Sequence, residues 1–139
     1  MYLVRAFLVW LIIVAAETIH GTLRQIFLAP LVGDFPARRI SIFTGMLLIF
    51  ATALLFVRRI AASSAKSLLA VGLLWVILTV VFEIALGRFL GYSRERIFED
   101  YDLSNGGLMA FGLAFMLFAP LLAAKLRGIK MPAAKSFQI

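Results

Sequence analysis

The chain has 139 residues, 63% of them hydrophobic and 15% charged, with no cysteine and one histidine. Soluble domains carry about 25% charged residues, so these proportions exclude an ordinary water-soluble core and point to lipid as the solvent. The formal charge of +7, from 14 Lys and Arg against 7 Asp and Glu, gathers at the ends of apolar runs, where basic side chains anchor helices. No basic soluble module is left over to bind nucleic acid.

Four apolar runs, at about 3–28, 38–57, 67–90 and 106–126, match the ~20 residues that cross a hydrocarbon core. They predict a single domain: an all-α integral membrane four-helix bundle, up-down-up-down. The first run opens like a secretory signal, with Val14-Ala15-Ala16 as a cleavage-like site. Because the apolar stretch continues to Leu31, a retained first span is expected. Pro30, Gly33 and Pro36 break the helix after it, and Asp34 is placed to cap the second span.

The second span carries no charge from Ile40 to Val57, Arg58 and Arg59 close it, and Ser63 or Ser64 is placed to cap the third. Glu83 and Arg88 fall near the end of the third span, and Gly91 stops it. The polar stretch Tyr92 to Asn105 follows, with Ile97, Phe98 and Tyr101 at helical spacing. It predicts a short interfacial helix acting as a solvated cap. Asp100, Asp102 and Asn105 have a faintly calcium-like spacing but lack the later glycine and glutamate, so they read as loop and cap residues. Ser104 or Asn105 is placed to cap the fourth span, which Pro120 is expected to kink, freeing the Met116 carbonyl. Gly87-x-x-x-Gly91 and the small face Gly106, Gly107, Ala110, Ala114 suit close packing, within the chain or between subunits.

Arg5, Arg58, Arg59, Lys66, Lys125, Arg127, Lys130 and Lys135 fall on one side of such a bundle. Arg24, Arg38, Arg39, Arg88, Arg94 and Arg96 fall on the other. The bias places both termini in the cytoplasm. Glu17-x-x-x-Gly21 with Arg24, and Glu83-x-x-x-Gly87 with Arg88, suggest either an internal parallel repeat or a chance match.

The polar residues of the spans share one half of the membrane. At about 100° per residue, Glu17, His20 and Arg24 form one stripe, with Gly21 leaving room beside it. Thr79, Glu83 and Gly87 align on the third span, and Ser41, Thr44, Gly45 and Thr52 on the second. Ionisable groups in hydrocarbon turn inward, so a pocket above an apolar plug is expected. Its candidate solute- or proton-binding residues are Glu17, His20, Arg24, Glu83, Arg88, Thr44 and Thr79. Cross-bundle pairs Glu17–Arg88 or Glu83–Arg24 are expected, and the same groups also fit a purely structural role, with the arginines snorkelling. His20 is expected to bond Glu83 or a second-span hydroxyl. A bis-histidine haem would need a second chain, no metal set is present, and no cofactor is expected.

Two functional readings follow. The pocket binds or conducts a small charged solute or protons, in a homo-oligomer or alone. Alternatively, the chain is a non-catalytic accessory or assembly subunit of a larger membrane complex. An embedded enzyme is disfavoured, since no nucleophile–base set is visible and no catalytic residue stands out.

The stretch Ala16-Glu17-Thr18-Ile19-His20-Gly21-Thr22-Leu23 resembles the first helix of small multidrug resistance transporters. That likeness covers one helix of four and implies a proton- and cation-binding role for Glu17. The sequence departs from that pattern by adding His20 and Arg24 and by its longer third loop. More broadly, Glu17-Thr18-x-His20-Gly21-x-x-Arg24 and Tyr101-Asp102 resemble small, uncharacterised bacterial four-helix inner-membrane proteins. This resemblance implies a multi-pass location in the bacterial inner membrane, with the lipid bilayer as partner.

Overall fold

The computed structural model describes residues 1–62 and 64–129. Ser63, Lys130 and Lys135 lie outside the described residues. Four helices are long and apolar enough to cross a membrane: α1 (Tyr2–Val32), α2 (Asp34–Ile60), α3 (Ala65–Phe89) and α5 (Met109–Leu126). A short helix α4 (Arg94–Glu99) and a 3₁₀ turn (Leu103–Asn105) precede the last of them. Among the described residues there is no strand.

Helix α1 does not stop near residue 28 as expected, because it absorbs Pro30 rather than breaking at it. The proline ring crowds the carbonyl four residues back, at Ile26, and offers no N–H. The helix answers by widening over Arg24–Leu28 into a π turn, in which the Ala29 N–H bonds the Arg24 carbonyl. A last α turn, Ala29–Val32, completes it. Such wide turns shift side chains around the axis and recur at functional sites.

Gly33 alone then joins α1 to α2, at φ +96 and ψ 160, a backbone shape that a side chain would strain. The expected loop shrinks to this corner because Pro36 falls in the first turn of α2, where its missing N–H has no helical partner to lose. Asp34 is consequently inside the helix rather than capping it. Gly33 holds the cap position, and the Asp34 carboxylate serves Gln25, Arg38 and Arg96 instead.

Ser64 caps α3 through a reciprocal box with Ser67. At the far end the Tyr92 N–H bonds the Gly87 carbonyl and the Gly91 N–H bonds that of Arg88. With Gly91 at φ +79, this is a Schellman stop. Gly91 thus ends the helix, as its position suggested, and has no close neighbour to pack against. Ser93 caps α4 by accepting from the Arg96 N–H. Ser104 and Asn105 do not cap α5. Both donate to Asp102, which draws them into the 3₁₀ turn, and α5 starts uncapped after Leu108. Pro120 lies inside α5.

Two tryptophans tie the bundle together at one end. Trp75 Nε1 donates to the Ala6 carbonyl at 2.9 Å. Trp10 Nε1 donates to Thr79 Oγ1 at 3.0 Å, and that hydroxyl passes its own proton toward Met116 Sδ at 3.4 Å. Both tryptophan bonds span 69 residues, a constant offset that sets α1 and α3 side by side in the same direction. Between helices surrounded by lipid, attraction comes from close contact rather than water exclusion. Small residues supply that contact: Ala6, Ala37, Ala53, Ala119, Ala123 and Ala124 are wholly buried. Large apolar side chains such as Leu47, Leu55 and Phe89 point outward instead.

The tightest approach is at Gly72, where an added Cβ would overlap the Leu117 backbone carbonyl. Gly72→Ala improves helix propensity by about 1 kcal/mol, but backbone cannot yield as a side chain does, and overpacking costs typically ~1–3 kcal/mol. The variant is therefore expected to unfold at lower temperature in detergent. A gain in melting temperature would contradict this packing.

Candidate functional site

At the end of the bundle where α1 meets α2, one buried arginine gathers three acids. Arg38, only 6% exposed, donates from Nε to Asp34 Oδ2 at 3.2 Å, from Nη2 to Glu99 Oε1 at 2.8 Å, and from Nη1 to Asp100 Oδ1. Arg96 adds a second pair with Asp34 at 3.2 Å. Asp34 and Arg38 are one helical turn apart, but Glu99 and Asp100 come from the far end of α4. The guanidinium fork can face several carboxylates at once, so this cluster pins α4 and the following turn over the end of α2. Phe35 under Arg38 and Tyr92 under Arg96 complete the setting, with ring centroids 5.3 and 4.2 Å away.

Below this cluster lies a cavity of about 480 Å³ between α1, α2, α3 and α5. Glu17, His20, Arg24, Thr79 and Glu83 all line it. Glu17 reaches across to α2, where Gly45 admits it: a Cβ there would sit 3.1 Å from Glu17 Oε2. His20 Nε2 is 2.7 Å from Thr44 Oγ1, and its Nδ1 is 3.6 Å from Glu17 Oε2. The Thr44 hydroxyl donates to the Ser41 carbonyl, so it accepts from the imidazole N–H. The remaining ring nitrogen then faces Glu17, and that approach is favourable when one of the two carries a proton. Arg24 folds back over Gly21, its Nη2 3.5 Å from the position a Cβ would take.

Glu83 opens into the same space, and Glu17, Glu83 and Arg24 lie within electrostatic reach of one another. No ion pair within 4.0 Å joins them among the described residues, so the expected Glu83–Arg24 bridge is not drawn closed. Nor is Glu17–Arg88. Gly87 faces inward against Ile97, and Arg88, about 100° further round the helix, is exposed beside a shallow cleft with Tyr92, Arg94 and Phe98. Thr79 borders the cavity, but its hydroxyl is committed to Trp10 and Met116.

Three buried polar atoms around the cavity have no hydrogen-bond partner among the described residues: Glu17 Oε1, Arg24 Nε and Tyr101 Oη. Tyr101 was read from the sequence as part of an apolar helix face and of the Tyr101-Asp102 pair, not as a pocket residue. It caps the cavity from above, and burial pushes its phenol up to about 12, with the Glu83 and Asp100 charges adding to the rise. Its hydroxyl therefore stays protonated near neutral pH. Arg38 and Arg96, counted only toward membrane orientation, prove to be the structural roof. The one local signal was the four-residue spacing of Asp34 and Arg38.

Asp102 accepts from the Ser104 N–H and from the side chains of Ser104 and Asn105, and these bonds hold its carboxyl below the ordinary range. It is a turn residue, as its spacing suggested. No group of three metal-ligating side chains occurs among the described residues.

Replacing Arg38 by leucine leaves Glu99 and Asp100 without their cation and Asp34 with Arg96 alone. Removing one partner of a buried pair costs about 3–5 kcal/mol, but these acids are 41%, 40% and 27% exposed, so screening reduces the loss to on the order of 2 kcal/mol. Hydrogen exchange is expected to show α4 losing protection while the α1–α3 tryptophan contacts keep theirs. Unchanged protection of α4 would refute the latch. No protein-family model matches this sequence, and no curated protein or solved structure is matched by it.

Proposed function

We propose that the chain crosses the bacterial inner membrane four times, up-down-up-down, with both termini in the cytoplasm and α4 lying at the outer interface. Its cavity binds or passes a small charged solute or protons. The four long apolar helices support the spanning. The orientation is supported by the ends of the helices. Arg5, Arg58, Arg59, Lys66, Lys125 and Arg127 stand at the end away from the cavity, where no acidic side chain lies.

One observation carries the functional half of this reading. A charge placed in a membrane purely to hold helices together is expected to be paired and hydrogen-bonded, because an unmet buried polar group costs about 1–3 kcal/mol. Arg38 meets that description. Glu17 and Arg24 do not: each keeps an unpartnered buried atom facing the same cavity. Groups left open in apolar surroundings suit a visiting ligand or proton. The His20 ring, bonded to Thr44 and facing Glu17, gives a proton a second place to rest.

Proteoliposomes with a trapped pH-sensitive dye test this. An imposed pH gradient, alone or with small amines and amino acids added, is expected to collapse at least tenfold faster than in empty vesicles. Glu17→Gln and Glu83→Gln are expected to return the rate to background while melting temperatures stay close to wild type. Equal rates in wild type and both variants would remove the reading.

A further inference from the structure

The cavity opens sideways. Every lining residue that is exposed belongs to α1 or to α3 and the turn after it, among them Thr18, Thr22 and Ile26 on α1 and Glu83 and Leu90 at the end of α3; none belongs to α2 or α5. The polar and aromatic contacts joining α1 to α3 lie toward the other end, at Ala6–Trp75, Trp10–Thr79 and Trp10–Phe82. The two parallel helices therefore part toward the α4 end, leaving a slot. In a chain that spans a bilayer, such a slot faces lipid.

The polar demand inside the slot is mixed. Glu17 Oε1 is an acceptor without a donor, and Arg24 Nε is a donor without an acceptor. The Tyr101 hydroxyl, held protonated, is a further free donor. A ligand that answers all three brings an N–H donor beside anionic oxygens. Deeper in, Ile13, Phe82 and Met116 offer only apolar surface.

We propose that the slot between α1 and α3 seats the head group of a membrane lipid carrying a primary ammonium and a phosphate. The ammonium meets Glu17 and Glu83, the phosphate oxygens meet Arg24 and Tyr101, and the acyl chains remain outside between the helices. This rests on the membrane-spanning, ligand-binding reading above and names the ligand class. A quaternary ammonium has no N–H to offer Glu17. An anionic head without an ammonium would bring a further negative charge toward Glu17 and Glu83.

The full chain, delipidated in mild detergent, can be titrated with phosphatidylethanolamine, phosphatidylcholine, phosphatidylglycerol and water-soluble phosphoethanolamine. Native mass spectrometry and thermal shift read the binding. Phosphatidylethanolamine is expected to bind at least tenfold more tightly than the other two lipids and than the free head group. Glu17→Gln, and Tyr101→Phe with its ring volume kept, are each expected to reduce that preference several-fold. Equal affinity for the three lipids overturns the proposal. Equal affinity for free phosphoethanolamine assigns the site to a soluble solute and overturns it as well. A chain with Glu17-dependent flux but no lipid preference refutes this proposal and leaves the transport reading intact. Lipid preference without flux supports the proposal and removes transport.

Discussion

A guanidinium taken out of water between helices must be matched by acids in the right geometry, and Arg38 is matched three times. Asp34 comes from its own helix, while Glu99 and Asp100 come from a segment more than sixty residues away. That one side chain decides where α4 sits, and with it where Tyr101 and Asp100 are held above the cavity. The covalent corner at Gly33 works with it. Because α1 and α2 are joined by a single residue, the polar stripe of α1 and the Gly45 face of α2 are brought level without a loop to soften their alignment.

Against this satisfied cluster the cavity below stands out by contrast. Both regions hold acids and arginines in apolar surroundings, but only one has its hydrogen bonds complete. Glu17 is admitted by Gly45, flanked by His20 and left with an open oxygen; Arg24 lies back on Gly21 with an open nitrogen. The glycines are what permit this arrangement, since a methyl at Gly45 would press on the Glu17 carboxylate. In the proposed reading, stability and ligand binding fall to neighbouring but separate groups of charges.

Much of the architecture was legible in the sequence because few solutions exist for a run of about twenty apolar residues. The stripe of Glu17, His20 and Arg24 could be read from helical spacing alone, but that spacing left Glu83 and a hydroxyl of the second span as alternative partners of His20, and the ring bonds Thr44. Arg88 was misplaced although the same spacing turns it about 100° away from the Glu83–Gly87 face, and it is exposed while Gly87 packs inward against Ile97. The Arg38 cluster was hidden for a different reason. Glu99 and Asp100 are distant in sequence, and only the four-residue spacing from Asp34 distinguishes Arg38 from Arg39, which is exposed. Gly72 carries no local signal, because the backbone it meets, at Leu117, belongs to another helix. Helix ends were the least legible, since Pro30 was accommodated by a wide turn rather than a break.

The absence of native cysteine allows the central claim, an open cavity among the long helices beneath the Arg38 cluster, to be tested by single-cysteine labelling in intact cells. Ser41→Cys and Leu86→Cys, which replace cavity-lining residues, are expected to react with N-ethylmaleimide, a small membrane-permeant reagent able to enter by the slot between α1 and α3. Val57→Cys, in the buried apolar core near the other end, is expected to stay unlabelled. Protection of both lining positions, with a cysteine at exposed Glu95 labelled in the same cells, would mean that no such cavity opens there.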